Sequence, residues 1–256
     1  MTVELETTES LYPFVLNEEQ EQLRREIRDF AAREIAPNVM KWDEASEFPL
    51  DVVKKLGQMG LLGVIFPHEL NGSGLGYVDY VLAIEELAAV DGSIGIIVAA
   101  HNSLCTNHIF LAGNDSQRKK YVSKLASGEW IGAWGLTEPG AGSDASNSRT
   151  TAVKNGDRYV LNGNKTFITN GHYADCAVVI ASTDKSKGTH GLSAFIVEKG
   201  TKGFRAGKKE NKLGLRASDT SELIFEDCEI PEENLVGVEG EDSSTQCAYS
   251  MAAAFQ

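Results

Sequence analysis

Several signals that would assign this 256-residue sequence to a specialised class are missing. Basic residues are in short supply, with 24 Lys and Arg against 37 Asp and Glu and a formal net charge of −13. Nucleic-acid partners call for a basic surface, so none is expected, although a local basic pocket could still take one phosphorylated ligand. Cysteine is sparse: no two of Cys105, Cys176, Cys228 and Cys247 are spaced as a C-x-x-C motif. Reduced thiols in a cytosolic protein are the plain reading. The five histidines are scattered, which leaves no metal site to expect. The N-terminus has Glu4, Glu6 and Glu9 and no early basic residue, unlike a secretory or mitochondrial leader. The longest apolar stretch, near residues 94–100, is far short of a membrane span. A cytoplasmic protein with no membrane span is expected.

Phosphate-binding signatures are also lacking. Gly72-Ser73-Gly74-Leu75-Gly76 has its third glycine one place too early for the dinucleotide fingerprint, and no strand precedes it. Neither a G-x-x-x-x-G-K loop nor a G-x-S-x-G nucleophile elbow occurs. Any cofactor must be held in another way.

Apolar residues make up 42 % and charged residues 24 %, which is ordinary globular usage, and the length suits two domains. Up to about residue 130 the pattern is helical. Leu16, Leu23, Ile27, Phe30, Ala31 and Ile35 follow one helix face, Asn17 and Gln20 fit a capping box, and Pro37 is placed to end the helix. A second helix should start near Pro49, with a stripe of Leu50, Val53, Leu56 and Met59. Residues 80–90 and 94–111 read as helices, the latter buried. Ser116 is expected to cap a shorter helix closed by Ser127 and Gly128.

Near Trp130 the period changes to two. Thr150 to Val153 and Arg158 to Leu161 flank Lys154-Asn155-Gly156-Asp157, where Asn-Gly predicts a hairpin turn. Further short apolar runs at 176–181, 192–197 and 222–225 predict a small antiparallel barrel or sandwich.

Two segments carry chemistry. In Trp134-Gly135-Leu136-Thr137-Glu138-Pro139-Gly140-Ala141-Gly142-Ser143-Asp144, a strand ends in a loop freed by Gly140 and Gly142. In Asn162-Gly163-Asn164-Lys165-Thr166-Phe167-Ile168-Thr169-Asn170-Gly171, an aromatic precedes a hydroxyl by two places. On a strand those two share a face, so a flat ring could pack on Phe167 while Thr169 donates a hydrogen bond. Taken singly, each segment reads more simply as a tight turn or a plain hairpin strand. Together, after a helical domain, they resemble the paired flavin-binding signatures of the acyl-CoA dehydrogenase family, nearest its short-chain, butyryl-CoA-like branch. The likeness continues through Gly191-Leu192-Ser193-Ala194-Phe195-Ile196-Val197, Leu213-Gly214-Leu215-Arg216-Ala217-Ser218 and Phe225-Glu226-Asp227-Cys228-Glu229-Ile230-Pro231, and covers nearly all of residues 14–241.

The resemblance implies an α+β multidomain fold: a helical N-terminal domain (1–130), then a β-barrel middle domain (131–241). It implies FAD as cofactor, a short-chain acyl-CoA as substrate, an electron-transfer flavoprotein as acceptor and homo-oligomers in full-length relatives. Carried over by position, Trp134, Leu136, Thr137, Ser143, Phe167, Ile168 and Thr169 would contact the flavin. Ser143, Ser103 and Leu104 would contact substrate. In the family the chain continues past Gly237-Val238-Glu239-Gly240-Glu241 through a Gly-Phe pair into a four-helix bundle carrying the catalytic glutamate. Residues 242–256 lack that pair, so the expectation is an atypical tail, no C-terminal bundle and no catalytic base, with Glu138 a structural carboxylate of its loop. The alternative is a non-catalytic flavin- or acyl-CoA-binding module.

Overall fold

In the computed structural model, which describes residues 15–240, Asn17 opens the first helix. Its Oδ1 accepts from the Gln20 amide at 2.8 Å, while Gln20 Oε1 accepts from the Asn17 amide at 3.1 Å. This reciprocal cap satisfies two donors that a helix start would leave bare. Residues 1–14 and 241–256, and with them the acidic N-terminus and the 242–256 tail, lie outside the described residues.

Helix α1 is Glu18–Phe30. Pro37 does not stop the chain from coiling, contrary to the expectation. The path widens through Ala31–Ile35, tightens through Ala36–Asn38 and enters α2, Val39–Ala45, which ends at Ser46 with φ 52°. Proline sits in the first turn of the tight segment, where its missing N–H costs little; the change of winding absorbs the kink. Then follow α3 (Leu50–Gln58), α4 (Tyr77–Val90) and α5 (Gly92–Ala112), whose middle is a wide π turn at Ala100–Thr106. Asp115–Gln117, Arg118–Val122 and Ser123–Ala126 run on as α6. Its cap is Asn114, two residues before the expected Ser116, because Asn114 and Gln117 form the reciprocal pair.

Ile27, Phe30, Ile35, Val53, Leu56, Leu87, Ile94 and Ile97 form the helical core. Each fully buried aliphatic side chain contributes about 1.5–3 kcal/mol. Among the described residues α5 is the one helix long and apolar enough to cross a membrane, but 67 % of its apolar window is buried inside the protein.

The second half is an eight-stranded sheet: β1 (Gly132–Gly135), β2 (Thr151–Asn155), β3 (Arg158–Thr169), β4 (Cys176–Ser182), β5 (Leu192–Glu198), β6 (Phe204–Lys209), β7 (Thr220–Pro231) and β8 (Leu235–Val236). The β2–β3 hairpin forms as expected, but its turn is Gly156-Asp157, one place later than Asn-Gly, with Gly156 at φ 65°. The strand order is β6-β7-β3-β2-β4-β5-β8, with β1 joined to β4. The sheet is mixed rather than antiparallel, since β1 and β2 both pair with β4 in parallel. Among the described residues no pairing joins the path's ends, β6 and β8, so the hydrogen bonding gives a mixed sheet and does not by itself close the expected barrel. Every residue of β4 is buried. Cys176, Val178 and Ile180 face α5 and α6, while Ala177, Val179 and Ala181 face the sheet domain's own core with Phe195, Leu223 and Phe225.

Candidate functional site

The two segments singled out in the sequence lie side by side. Segment 134–138 is the end of β1 and the loop after it, and 165–169 is the end of β3. They are stitched by the Thr166 amide donating to the Thr137 carbonyl at 2.8 Å. Opposite β7, β3 carries one extra residue between Lys165 and Ile168. This bulge turns the strand, and Phe167 sits in it at φ 60°, an expensive conformation for a residue with a Cβ. Its ring is left 63 % exposed. Ile168 turns into the core and Thr169 is half-buried.

Trp134, Leu136 and Thr137 are half-buried beside this ridge. The Trp134 indole N–H donates to His108 Nδ1 at 3.2 Å, fixing the ring against α5. Ser143 is exposed on the loop beyond Gly140 and Gly142, and a Cβ added at either glycine would meet nothing within 4 Å. Ser103 and Leu104 lie on the π turn of α5. Ser103 Oγ donates back to the Ala99 carbonyl at 2.7 Å, and Leu104 is 38 % exposed. Their helix grips β1 by the Gly132 amide donating to His101 Nδ1 at 3.0 Å.

Beneath the loop is a buried ion pair that the sequence reading did not single out. Lys165 Nζ lies 2.6 Å from Glu138 Oε1, with side chains 0 % and 5 % exposed. Glu138 also accepts from the Ser148 hydroxyl (2.5 Å), the Arg149 amide (2.6 Å) and the Thr150 amide (3.0 Å). Burial works to raise its carboxyl, but the bonds from Lys165, Ser148, Thr150 and Arg149 prevail and hold it at about 2. Burial pulls the Lys165 ammonium down, and Glu138 opposes that pull. Lys165 was missed because a lysine on a strand reads as a solvent-facing residue, and its partner, Glu138, lies on the other segment.

His101 is fully buried. Its Nδ1 accepts from Gly132, so the proton is on Nε2, which donates to the Leu62 and Leu125 carbonyls, each at 3.1 Å. Burial pulls its pKa down to about 4, against a weaker upward pull from those carbonyls. The imidazole is therefore neutral near pH 7 and serves as a cross-domain clasp. Among the described residues no group of three His, Cys, Asp or Glu side chains could hold a metal ion.

An exposed aromatic on a strained bulge, a half-buried hydroxyl two places on and an open glycine loop fit a planar, phosphate-bearing cofactor such as FAD. Comparison with known proteins identifies the family. The acyl-CoA dehydrogenase N-terminal domain matches residues 17–129 and the middle domain of the same family matches residues 133–228. The short-chain specific acyl-CoA dehydrogenase of Clostridium acetobutylicum is 51 % identical over 227 residues, covering 89 % of this chain and 60 % of that protein. The mitochondrial short-chain specific enzyme of Rattus norvegicus is 46 % identical, over 88 % and 55 % of the two chains. Butyryl-CoA dehydrogenase of Megasphaera elsdenii superposes with a TM-score of 0.90 at 41 % identity, covering 95 % of this chain and 64 % of that one. A glutaryl-CoA dehydrogenase of Mycobacterium smegmatis, solved in complex with FADH2, superposes at 0.85 with 34 % identity, over 93 % and 61 %. The chain thus spans about 60 % of the length of such relatives. With both of its domain matches in the order the fold shows, the chain belongs to the acyl-CoA dehydrogenase family.

Proposed function

We propose that this chain is the flavin- and thioester-binding part of an FAD-dependent dehydrogenase acting at the α and β carbons of short-chain acyl-CoA, with an electron-transfer flavoprotein as acceptor. The observation that carries the reading is the bulged end of β3, which spends backbone strain to present Phe167 beside residues 134–137. A purely structural strand gains nothing from a positive φ at an exposed phenylalanine. Trp134, Leu136, Thr137, Phe167, Ile168 and Thr169 would hold the flavin ring. Ser143 would lie where flavin and thioester both pass, and Ser103 and Leu104 would wall the acyl group. Bound FAD would supply the hydride acceptor for a reaction whose α-proton must go to a positioned carboxylate.

Glu138 is not that carboxylate. Four donors already hold it, and a group poised at about 2 is a poor base near neutral pH. Its part is to shape the loop. The chain's flavin fluorescence titration with FAD tests the reading: saturable quenching at one FAD per chain is expected, and no quenching overturns it. Adding butyryl-CoA and an artificial electron acceptor tests the Glu138 assignment. Turnover that vanishes in Glu138→Gln while FAD stays bound would make Glu138 the base and refute the structural role.

A further inference from the structure

The Lys165 backbone pairs with Leu223 of β7, while its fully buried side chain runs directly under the loop that ends β1. The stem is so close that a Cβ at Gly135 would sit 3.2 Å from Lys165 Cγ. The ammonium donates to the Leu136 carbonyl at 3.1 Å, to Glu138 and to the Ser148 hydroxyl at 3.2 Å. One residue on, the Thr166 amide donates to Thr137. Consecutive residues near the end of β3 therefore hold consecutive carbonyls of the loop.

We propose that Lys165 is a positioning residue of the flavin site, its ammonium pinning the Leu136 carbonyl so that the peptide joining Leu136 to Thr137 faces the cofactor in one orientation. This rests on the flavin reading above. The physical case has three parts. A planar trans peptide sends its N–H opposite to its C=O, so fixing the Leu136 oxygen fixes the direction of the Thr137 N–H. A buried ion pair is a poor way to gain stability alone, because desolvating both charges offsets their attraction, while well-packed apolar residues do as well or better. A backbone carbonyl bonded by a buried ammonium, by contrast, is held by one of the stronger hydrogen bonds available, and the ammonium cannot be moved without uncovering Glu138. The pair is thus placed where orientation rather than stability is gained: between the two strands whose ends make the site.

The test compares wild type, K165M, K165M/E138Q and S148A in three measurements: thermal melting without FAD, hydrogen exchange of the Thr166 amide, and FAD affinity by fluorescence quenching. K165M strands a buried carboxylate and should melt well below wild type. K165M/E138Q removes both charges, keeps one acceptor oxygen for Ser148 and Thr150 at the cost of the Arg149 bond, and should regain part of the melting temperature. If Lys165 positions the loop, the double variant still exchanges its Thr166 amide about tenfold faster and binds FAD about tenfold more weakly, as loss of one charge-assisted bond would give. S148A leaves the Lys165–Leu136 bond intact and should keep FAD affinity within about twofold. A double variant that regains affinity and amide protection along with its melting temperature overturns the proposal and leaves the pair purely structural. A tenfold affinity loss in S148A would overturn it too, since the effect would not run through Lys165. Wild-type chain that fails to quench FAD refutes the flavin reading, while the exchange arm still decides whether Lys165 orders the loop.

Discussion

Phe167 allows the cost of the site and its use to be measured in one experiment. Its φ of 60° puts a residue with a Cβ in the left-handed region, which costs about 1–2 kcal/mol. Its ring is 63 % exposed, so little core packing offsets that cost. Phe167→Ala and Phe167→Gly both delete the ring, but only glycine relieves the backbone. Against the relief stands glycine's greater freedom in the unfolded chain, about 0.5–1 kcal/mol. The glycine variant should therefore be more stable than the alanine variant by roughly 1 kcal/mol, or about 2–4 °C in melting temperature. In FAD titrations the two should behave alike. An aromatic–aromatic contact contributes about 0.5–1.5 kcal/mol beyond area burial, so losing the ring should weaken binding by up to about tenfold in both. Differential scanning fluorimetry and flavin fluorescence on the same preparations suffice. An alanine variant as stable as the glycine one would show that the bulge is not strained. Unchanged FAD affinity in both would remove Phe167 from the site. Affinity that tracks stability across the pair would make Phe167 a packing residue.

Gly142→Ala should leave the melting temperature unchanged, because an added Cβ meets no atom within 4 Å, yet lower FAD affinity if the ligand's phosphates approach that backbone; equal affinity would clear the loop of ligand contact. Gly163→Ala should be severely destabilising, since its φ of 142° excludes side chains and a Cβ would lie 2.7 Å from Thr150 Oγ1; a well-folded variant by circular dichroism would contradict the packing there. Acid should weaken the fold through His101, whose folded pKa of about 4 lies below the ordinary 6.5. The unfolded chain then binds the extra proton, so the stability held above pH 6.5 falls as pH drops towards 4, by about 3 kcal/mol in total. Denaturant midpoints from pH 7 to 4 should show this slope in wild type and a shallower one in His101→Gln; identical slopes would refute it.

What could be read from the sequence is what local chemistry decides. Asn17 and Gln20 cap a helix because their spacing suffices without help from the rest of the chain. The β2–β3 hairpin depends only on residues near its turn. Pairings between distant segments were not legible. Nothing in Gly132–Gly135 indicates that it will run parallel to Cys176–Ser182, since both are short apolar runs compatible with either direction. The barrel expectation followed from strand spacing, which records how many strands there are and not which edges meet. Phe167 and Thr169 were recognisable as a pair, but the bulge that exposes them was not, because it is defined against β7, more than fifty residues later. The buried Lys165 was invisible for the same reason: its partner, Glu138, lies on the other segment.

The two domains cannot be regarded as separate lobes with a site between them. The apolar faces that meet, Cys105, Ile109, Tyr121 and Leu125 from the helices against Cys176, Val178 and Ile180 from β4, would by themselves tolerate a small slide. Directional bonds do not tolerate it. The Gly132 amide is held by His101, and the Asn170 side-chain amide spans the Ile97 and Gly132 carbonyls, each at 3.3 Å. Both clasps meet at Gly132, the first residue of β1 and two before Trp134. Asn170 follows Thr169 directly and is itself at φ 67°, turned by its bond to Asp219. The polar groups buried at this seam thus register α5 against the start of β1 and the end of β3. Those are the elements that carry Ser103 and Leu104, residues 134–137, and residues 167–169. Buried polar groups contribute little net stability, but they discriminate sharply between alignments, because any slide leaves them unpaired in a dry interior. In this chain that discrimination fixes how the stretch of α5 that carries Ser103 and Leu104 is aligned against the start of β1 and the end of β3.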